Sequence, residues 1–337
     1  MRMRTTVSLA ALLLGSLLAA PAEGKLVYVK QPASLESSIH VATDKGKQRR
    51  RLGIGRAPAI SPDGRWVAFI TAPSARGRES VVLLRLRSGS QRFVMRAKRI
   101  SSLRFSPDSG RVAAVANERR IRVYDIGNDK RRVAAEGDIR GYSWAPDSKR
   151  VVYGEADGDD FQAESDLYVA RAMGGAEPDR LTRSRDAVNP VWGGQEIFYD
   201  RFTKRDDGGP AYQIWALEPE GDGDPRQLTD VTLPPVLTGF VPLEVSANGR
   251  RMLAALTGTD TQAGFTVNTA SGDTDALSPE DLESGVVGFD LAADGRTILG
   301  HTGGPDPFNA HDVVTVPYGG GEPTVLVEDA AYPDWTR

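Results

Sequence analysis

A short polar turn running into an apolar strand recurs along this chain, and no other feature restricts its fold so severely. Ser61-Pro62-Asp63-Gly64 leads into Trp66-Val67-Ala68-Phe69-Ile70, and Ser106-Pro107-Asp108-Ser109 into Arg111-Val112-Ala113-Ala114-Val115. Ala145-Pro146-Asp147-Ser148 precedes Arg150-Val151-Val152-Tyr153, Ser246-Ala247-Asn248-Gly249 precedes Arg251-Met252-Leu253-Ala254, and Ala292-Ala293-Asp294-Gly295 precedes Thr297-Ile298-Leu299-Gly300. The segments align without a gap, and self-similarity at a fixed period marks a repeat architecture.

Each turn sits inside a larger unit. A short strand ending in a bulky residue comes before it: Ile60, Phe105, Trp144, Val245 or Leu291. After the apolar strand come a variable loop, an alternating strand such as Asp166-Leu167-Tyr168-Val169-Ala170, a glycine-marked turn, and a last short strand such as Arg180-Leu181-Thr182. Four short strands separated by turn signals predict an antiparallel meander. One unit departs from the pattern. There Asn189-Pro190-Val191-Trp192 is followed by Gly193-Gly194, where glycine supplies the positive φ that a tighter hairpin needs.

The termini complete the count. Lys25 to Val29 matches a second strand, Ser38 to Ala42 a third and Arg49 to Leu52 a fourth, whereas Ala331-Tyr332-Pro333-Asp334-Trp335 at the end of the chain matches a first strand. The expected fold is therefore all-β: a seven-bladed β-propeller of four-stranded antiparallel blades, closed by pairing of the N- and C-terminal segments. Six blades is the alternative. Closure leaves no blade with an unpaired flank, and roughly 45 residues per unit suits a propeller blade.

These repeats resemble those of TolB-like propellers, also called WD40-like Pro-Asp repeats. Pro62-Asp63-Gly64, Pro107-Asp108 and Pro146-Asp147 match that family's turn, and Leu181-Thr182 and Leu228-Thr229 match its Arg-Leu-Thr ending. The likeness covers nearly all of the chain after its leader and implies the propeller fold. TolB itself adds an N-terminal domain to a six-bladed propeller, so its own role is not implied.

Residues 1–22 read as a secretory signal followed by a single domain over 23–337. Arg2 and Arg4 form a charged start, Val7 to Leu18 a short apolar core, and Ala20-Pro21-Ala22 a small-x-small cleavage pattern. That apolar run falls short of the ~20 residues a membrane span requires. The expectation is an exported protein, periplasmic or extracellular, with no membrane insertion once the signal is removed. The chain contains no cysteine, so disulfides are excluded and stability must come from packing. Its 36 glycines and 21 prolines suit a turn-rich globular fold, and a formal charge of -3 gives no long-range pull toward nucleic acid.

Candidate chemistry is sparse. An aspartate in every Pro-Asp turn is explained by capping of its own backbone, since a catalytic residue has no reason to recur in each blade. Trp144, Trp192 and Trp335 share one repeat position and read as wedges between neighbouring blades. Gly141-Tyr142-Ser143-Trp144-Ala145 approaches a nucleophile elbow but lies on an inner strand rather than a strand-turn-helix. His301 and His311 flank one loop and are the weak candidates for a metal site, with solvated rim histidines the competing reading. No cofactor is expected. Arg49-Arg50-Arg51 and Arg131-Arg132 fall on outer strands, where charge guards an edge against pairing, so nucleic acid is not an expected partner.

Loops between second and third strands are long in several units, among them Ala72 to Glu79, Glu155 to Ser165 and Asp200 to Ala211. Length and variety gathered on one face mark it as a binding surface. The candidate binding residues there are Asp157, Asp159, Asp160, Arg201, Lys204, Arg205, Asp206 and Asp207. The functional expectation is a monomeric interaction module for a protein, peptide or glycan of the cell envelope. The alternative is a propeller enzyme of the lyase or lactonase type, with its site at the channel mouth.

Overall fold

The structure, a computed structural model, describes residues 24–336 apart from 32–36, 159–163, 206–208, 221–222, 259–260, 279–284, 293, 305 and 307–308. The expected signal at 1–22 lies outside the described residues, as do Asp159, Asp160, Asp206 and Asp207.

Every regular element among the described residues is a strand. Four-stranded meanders form where the repeats predict them. In the terminal sheet, β1 (Lys25–Lys30), β2 (Ser38–Thr43) and β3 (Arg50–Ile54) are joined by β28 (Ala330–Trp335), which lies against β1. The second sheet runs β4 (Arg56–Ile60), β5 (Trp66–Ile70), β6 (Glu79–Arg85) and β7 (Gln91–Ala97). The third contains β8 (Ile100–Phe105), β9 (Arg111–Ala116), β10 (Arg120–Asp125) and β11 (Arg131–Glu136). The fourth has β12 (Asp138–Trp144), β13 (Arg150–Ala156), β14 (Ser165–Arg171) and the two-residue β15 (Asp179–Arg180). In the last sheet are β24 (Val287–Leu291), β25 (Thr297–His301), β26 (Val313–Pro317) and β27 (Thr324–Val327).

Between the fourth and last sheets the structure differs from seven separate units. The meander β16 (Ala187–Gly193), β17 (Glu196–Lys204), β18 (Pro210–Leu217), β19 (Arg226–Gln227) and the meander β20 (Leu237–Val245), β21 (Arg251–Gly258), β22 (Gln262–Asn268), β23 (Thr274–Ala276) belong to one eight-stranded sheet. A single parallel pairing, Tyr212 with Gly239, joins them. Glycine is required at that contact, because a Cβ on Gly239 would stand 2.2 Å from the Tyr212 carbonyl oxygen.

Second strands are buried and read as continuous apolar runs rather than as alternation, because successive units pack against one another. Val67 to Ile70, Val112 to Ala116 and Ile298 to Gly300 are all buried. Among the described residues, seven hydrophobic clusters each draw on two successive four-strand units. One joins Val29 and Ile39 of the terminal sheet to Phe69 and Val82 of the second. Another joins Leu299 and Val313 of the last sheet to Leu26 and Tyr28 of the terminal sheet. Trp144 and Trp192 are buried in such clusters and Trp335 packs against one, as wedges between units should. The Arg150 guanidinium lies 4.8 Å over the Trp192 ring.

The Pro-Asp turns are structural fasteners. Ser61 Oγ donates to Asp63 Oδ1 (2.6 Å) and accepts from Trp66 N (2.9 Å), while Asp63 Oδ1 accepts from Arg65 N (3.0 Å). Ser106 and Asp108 repeat the arrangement, as do Ser246 and Asn248. The first two turns also tie to the next sheet: Asp63 N donates to Ser109 Oγ (3.0 Å) and Asp108 N to Ser148 Oγ (2.9 Å). On the outer strands, Arg131 Nε donates to Val94 O (3.0 Å) and Arg49 Nη2 to Leu326 O (3.1 Å), satisfying edge carbonyls of the neighbouring sheet. These arginines cross-link outer edges as well as charging them.

Candidate functional site

The first strand of each unit carries a feature that the repeat pattern did not announce. Its register against the second strand slips once, between Arg56 and Ala59, Ser101 and Arg104, Ile139 and Tyr142, Val188 and Val191, and Gly288 and Asp290. In β20 the slip between Pro242 and Glu244 is its equivalent, and β28 bulges opposite Val27 and Val29. Ala57, Ser102, Gly141, Asn189 and Tyr332, all at one repeat position, hold positive φ (47°, 52°, 80°, 48° and 51°). A left-handed residue other than glycine costs about 1–2 kcal/mol, so the bulge is maintained by the surrounding sheet. Because these positions share no residue type, the bulge leaves no sequence signature. Only Gly141 offered a hint.

The bulges hold polar groups in place. Tyr142 Oη donates to the Ser102 carbonyl (2.8 Å), and burial pushes the phenol up from its ordinary range. Asn189 Nδ2 donates to Asp200 Oδ2 (3.2 Å), while Asp200 Oδ1 has no hydrogen-bond partner. Burial outweighs the hydrogen bonds from Asn189 and from its own backbone, and pushes the Asp200 carboxyl well above the usual carboxylate range. Further along the first strands, Arg104 of β8 and Glu244 of β20 come from units that are not neighbours, yet Arg104 Nη1 lies 3.8 Å from Glu244 Oε2. Each stands two positions before its turn serine, Ser106 or Ser246.

On the face carrying the second-to-third-strand loops, the candidate residues have different fates. Arg201 Nε pairs with Asp186 Oδ2 (2.6 Å), and its guanidinium lies 4.6 Å over the Trp215 ring. Arg205 donates to the Pro234, Pro235 and Leu237 carbonyls (3.2, 3.2 and 2.8 Å) and so clamps the connection into β20. Both therefore serve the fold. Asp157 is exposed, 3.9 Å from Arg185 Nη2, and Lys204 is exposed at the end of β17. These two leave charge available to a ligand.

His301 and His311 do meet, but not as solvated rim residues. Their ring centroids are 4.4 Å apart and both side chains are buried. Each Nδ1 reaches the same acceptor, the Thr302 carbonyl, at 2.9 and 2.7 Å. A carbonyl only accepts, so each Nδ1 carries the proton and each Nε2 is left with a lone pair and no partner. Burial, opposed by the Thr302 hydrogen bond, lowers the His301 pKa to about 4. Phe289 and Tyr332 complete an aromatic nest around it. Among the described residues no three His, Cys, Asp or Glu side chains gather as possible metal ligands.

No family model and no curated protein sequence matches the chain. Solved structures do. TolB from Acinetobacter baumannii superposes with a TM-score of 0.55 at 16% identity, over 93% of this chain and 66% of that one. This chain thus spans just under two thirds of that protein's length. The β-propeller domain of the Trilobed protease from Pyrococcus furiosus gives a TM-score of 0.65 at 14% identity, covering 87% of each chain. Oligogalacturonate lyase from Vibrio parahaemolyticus gives 0.61 at 13% identity, over 91% of this chain and 87% of that one. At such identities the likeness establishes fold alone. The chain has a TolB-like β-propeller fold, one that supports an interaction module or an enzyme.

Proposed function

We propose that this chain is an exported binding module whose propeller has seven blades in a closed ring, and that it takes a protein, peptide or glycan of the cell envelope on its loop face. The blade count treats the eight-stranded sheet as two blades bridged at Tyr212 and Gly239. Ring closure is supported by β28 beside β1 and by the hydrophobic cluster shared between the last and terminal sheets. Export rests on the pattern of Arg2, Arg4, Val7 to Leu18 and Ala20-Pro21-Ala22. No helix among the described residues is long and apolar enough to cross a membrane.

The Arg104–Glu244 contact carries the choice of face. In a ring of seven, these residues stand on opposite sides of the axis, and their ion pair narrows the channel near the Pro-Asp turns. The wider opening then lies among the long loops, beside Asp157 and Lys204. A photo-crosslinking amino acid at position 157 or 204 is expected to capture an envelope component that the same probe at Arg296, beside the turn Ala292 to Gly295 on the opposite face, does not. Charge reversal by Lys204→Glu should weaken that capture. Crosslinks formed at Arg296 and absent at both loop positions would overturn the reading.

A further inference from the structure

The Pro-Asp-turn face holds a groove of about 780 Å³ between the terminal and second sheets. Lys25, Arg50, Arg65, Arg85 and Arg87 line it, brought together from four separate stretches of the chain. All four arginines are exposed, and no carboxylate is among the lining residues. Among the described residues only Asp63 approaches any of the five cations, 3.5 Å from Arg65 Nε. This concentration of positive charge stands in a chain of formal charge -3.

The cations are held in place rather than merely clustered. Lys25 Nζ reaches from β1 across to the Gly64 carbonyl (2.7 Å), and Arg50 Nη2 reaches from β3 to the Leu86 carbonyl (3.3 Å). Each uses one donor to bridge the two walls and keeps others for a ligand, since an ammonium has three N–H donors and a guanidinium five. Arg85 pairs in register with Trp66 and lies 5.7 Å over its ring. Neighbouring like charges repel, and among the described residues only Asp63 offers an anion to relieve that repulsion.

We propose that this groove is a binding site for a ligand bearing two or three phosphoryl groups. A phosphoryl monoester carries about -1.5 to -2 charge and three acceptor oxygens, so two or three of them balance five cations in a small volume. Five single carboxylates would require a longer ligand. The groove falls within the range of roughly 300–1,000 Å³ typical of small-molecule sites, and guanidinium forks match phosphate geometry bidentately. A free oligophosphate and a phosphorylated lipid headgroup present the same chemistry. The groove lies on the face opposite the long loops, so a failure here leaves the loop-face reading standing.

Inorganic tripolyphosphate titrated into the folded protein by calorimetry is the direct probe. The double variant Arg85→Ser/Arg87→Ser should weaken binding by about tenfold or more, because it removes two guanidinium partners. The charge-matched control Lys98→Ser/Lys130→Ser, two exposed lysines outside the groove, should leave binding unchanged. Circular dichroism confirms that both variants fold. Citrate should bind at least about tenfold more weakly than tripolyphosphate if phosphate geometry is what the groove reads. Equal losses in both variants, equal affinity for citrate, or no heat with tripolyphosphate would each overturn the proposal. Cosedimentation with phosphatidylcholine vesicles containing phosphatidylinositol bisphosphate, lost in the groove variant and absent with phosphatidylcholine alone, assigns the lipid source. Tripolyphosphate binding without vesicle binding assigns the soluble one.

Discussion

Arg104 and Glu244 are separated by 140 positions in the chain and meet at 3.8 Å, Arg104 partly exposed and Glu244 buried. Both stand on first strands, close to the short turns. A pair at this distance, with one member open to solvent, contributes modestly, because screening removes much of its Coulomb energy. Arg104→Met should therefore lower unfolding free energy by about 0.5–1 kcal/mol. Adding Glu244→Gln should recover part of that loss, since the buried carboxylate is then neutral. Urea denaturation of the two single variants and the double variant gives the coupling. A strictly additive cycle would show that the two residues do not interact.

Asp200 sets a pH dependence of one sign. Its folded pKa is raised well above the ordinary 3.8, so the folded protein holds a proton that the unfolded chain has already released. Stability from this group is full below about 3.8 and falls as pH rises toward the folded pKa, by at most about 1.4 kcal/mol per pH unit. Asp200→Asn keeps an acceptor for Asn189 and removes the titration. Its stability should exceed that of the unmodified protein at pH 7.5, and the gap should close at pH 4. Denaturation at both pH values tests this, and an equal gap at both would refute it.

His301 has the opposite sign. Its pKa falls from 6.5 to about 4 on folding, so the unfolded chain binds the proton first. The contribution is complete above about pH 6.5 and is lost as pH falls toward 4, on the order of 3 kcal/mol in all. His301→Gln should flatten the acid limb of the stability curve over that window. If the limb is unchanged, the imidazole is not buried as the structure has it.

The Leu-Thr endings of two units also have a measurable role. Thr182 Oγ1 donates to Asp166 Oδ1 (2.7 Å) and accepts from Leu167 N (2.9 Å). Thr229 Oγ1 does the same with Gln213 Oε1 (2.7 Å) and Ile214 N (2.9 Å). Valine at either site removes a buried hydroxyl and leaves both partners short. Thr182→Val should cost about 2–3 kcal/mol and Thr229→Val about 1–2, since a hydrogen bond to a carboxylate is the stronger. Thermal unfolding of the two variants checks the order.

The parts that were legible in the sequence are local. Ser, Pro, Asp and Gly at fixed offsets dictate a turn whatever surrounds them, so Ser61 to Trp66 could be read directly and its copies counted. The long loops were equally visible, although Arg201 and Arg205 turned out to be engaged with Asp186 and with the backbone around Pro234. Residue type alone does not say whether an arginine faces solvent or a carbonyl. The burial of His301 and His311 is hidden for the same reason: a histidine beside a loop reads as solvated, whereas Phe289 of β24 and Tyr332 of β28 pack around His301 from separate strands.

The meander unit, its period and the complementary fragments at the two ends of the chain can be read from residue order, because they follow from turn chemistry and strand alternation over a few neighbouring residues. The first-strand bulges at Ala57, Ser102, Asn189 and Tyr332, the Arg104–Glu244 contact and the five-cation groove emerge on folding. Each of these joins residues that are distant in the chain, or uses a backbone conformation that no particular side chain demands. Whether charges meet across such separations depends on how the sheets are placed, and the packing between sheets sets that placement.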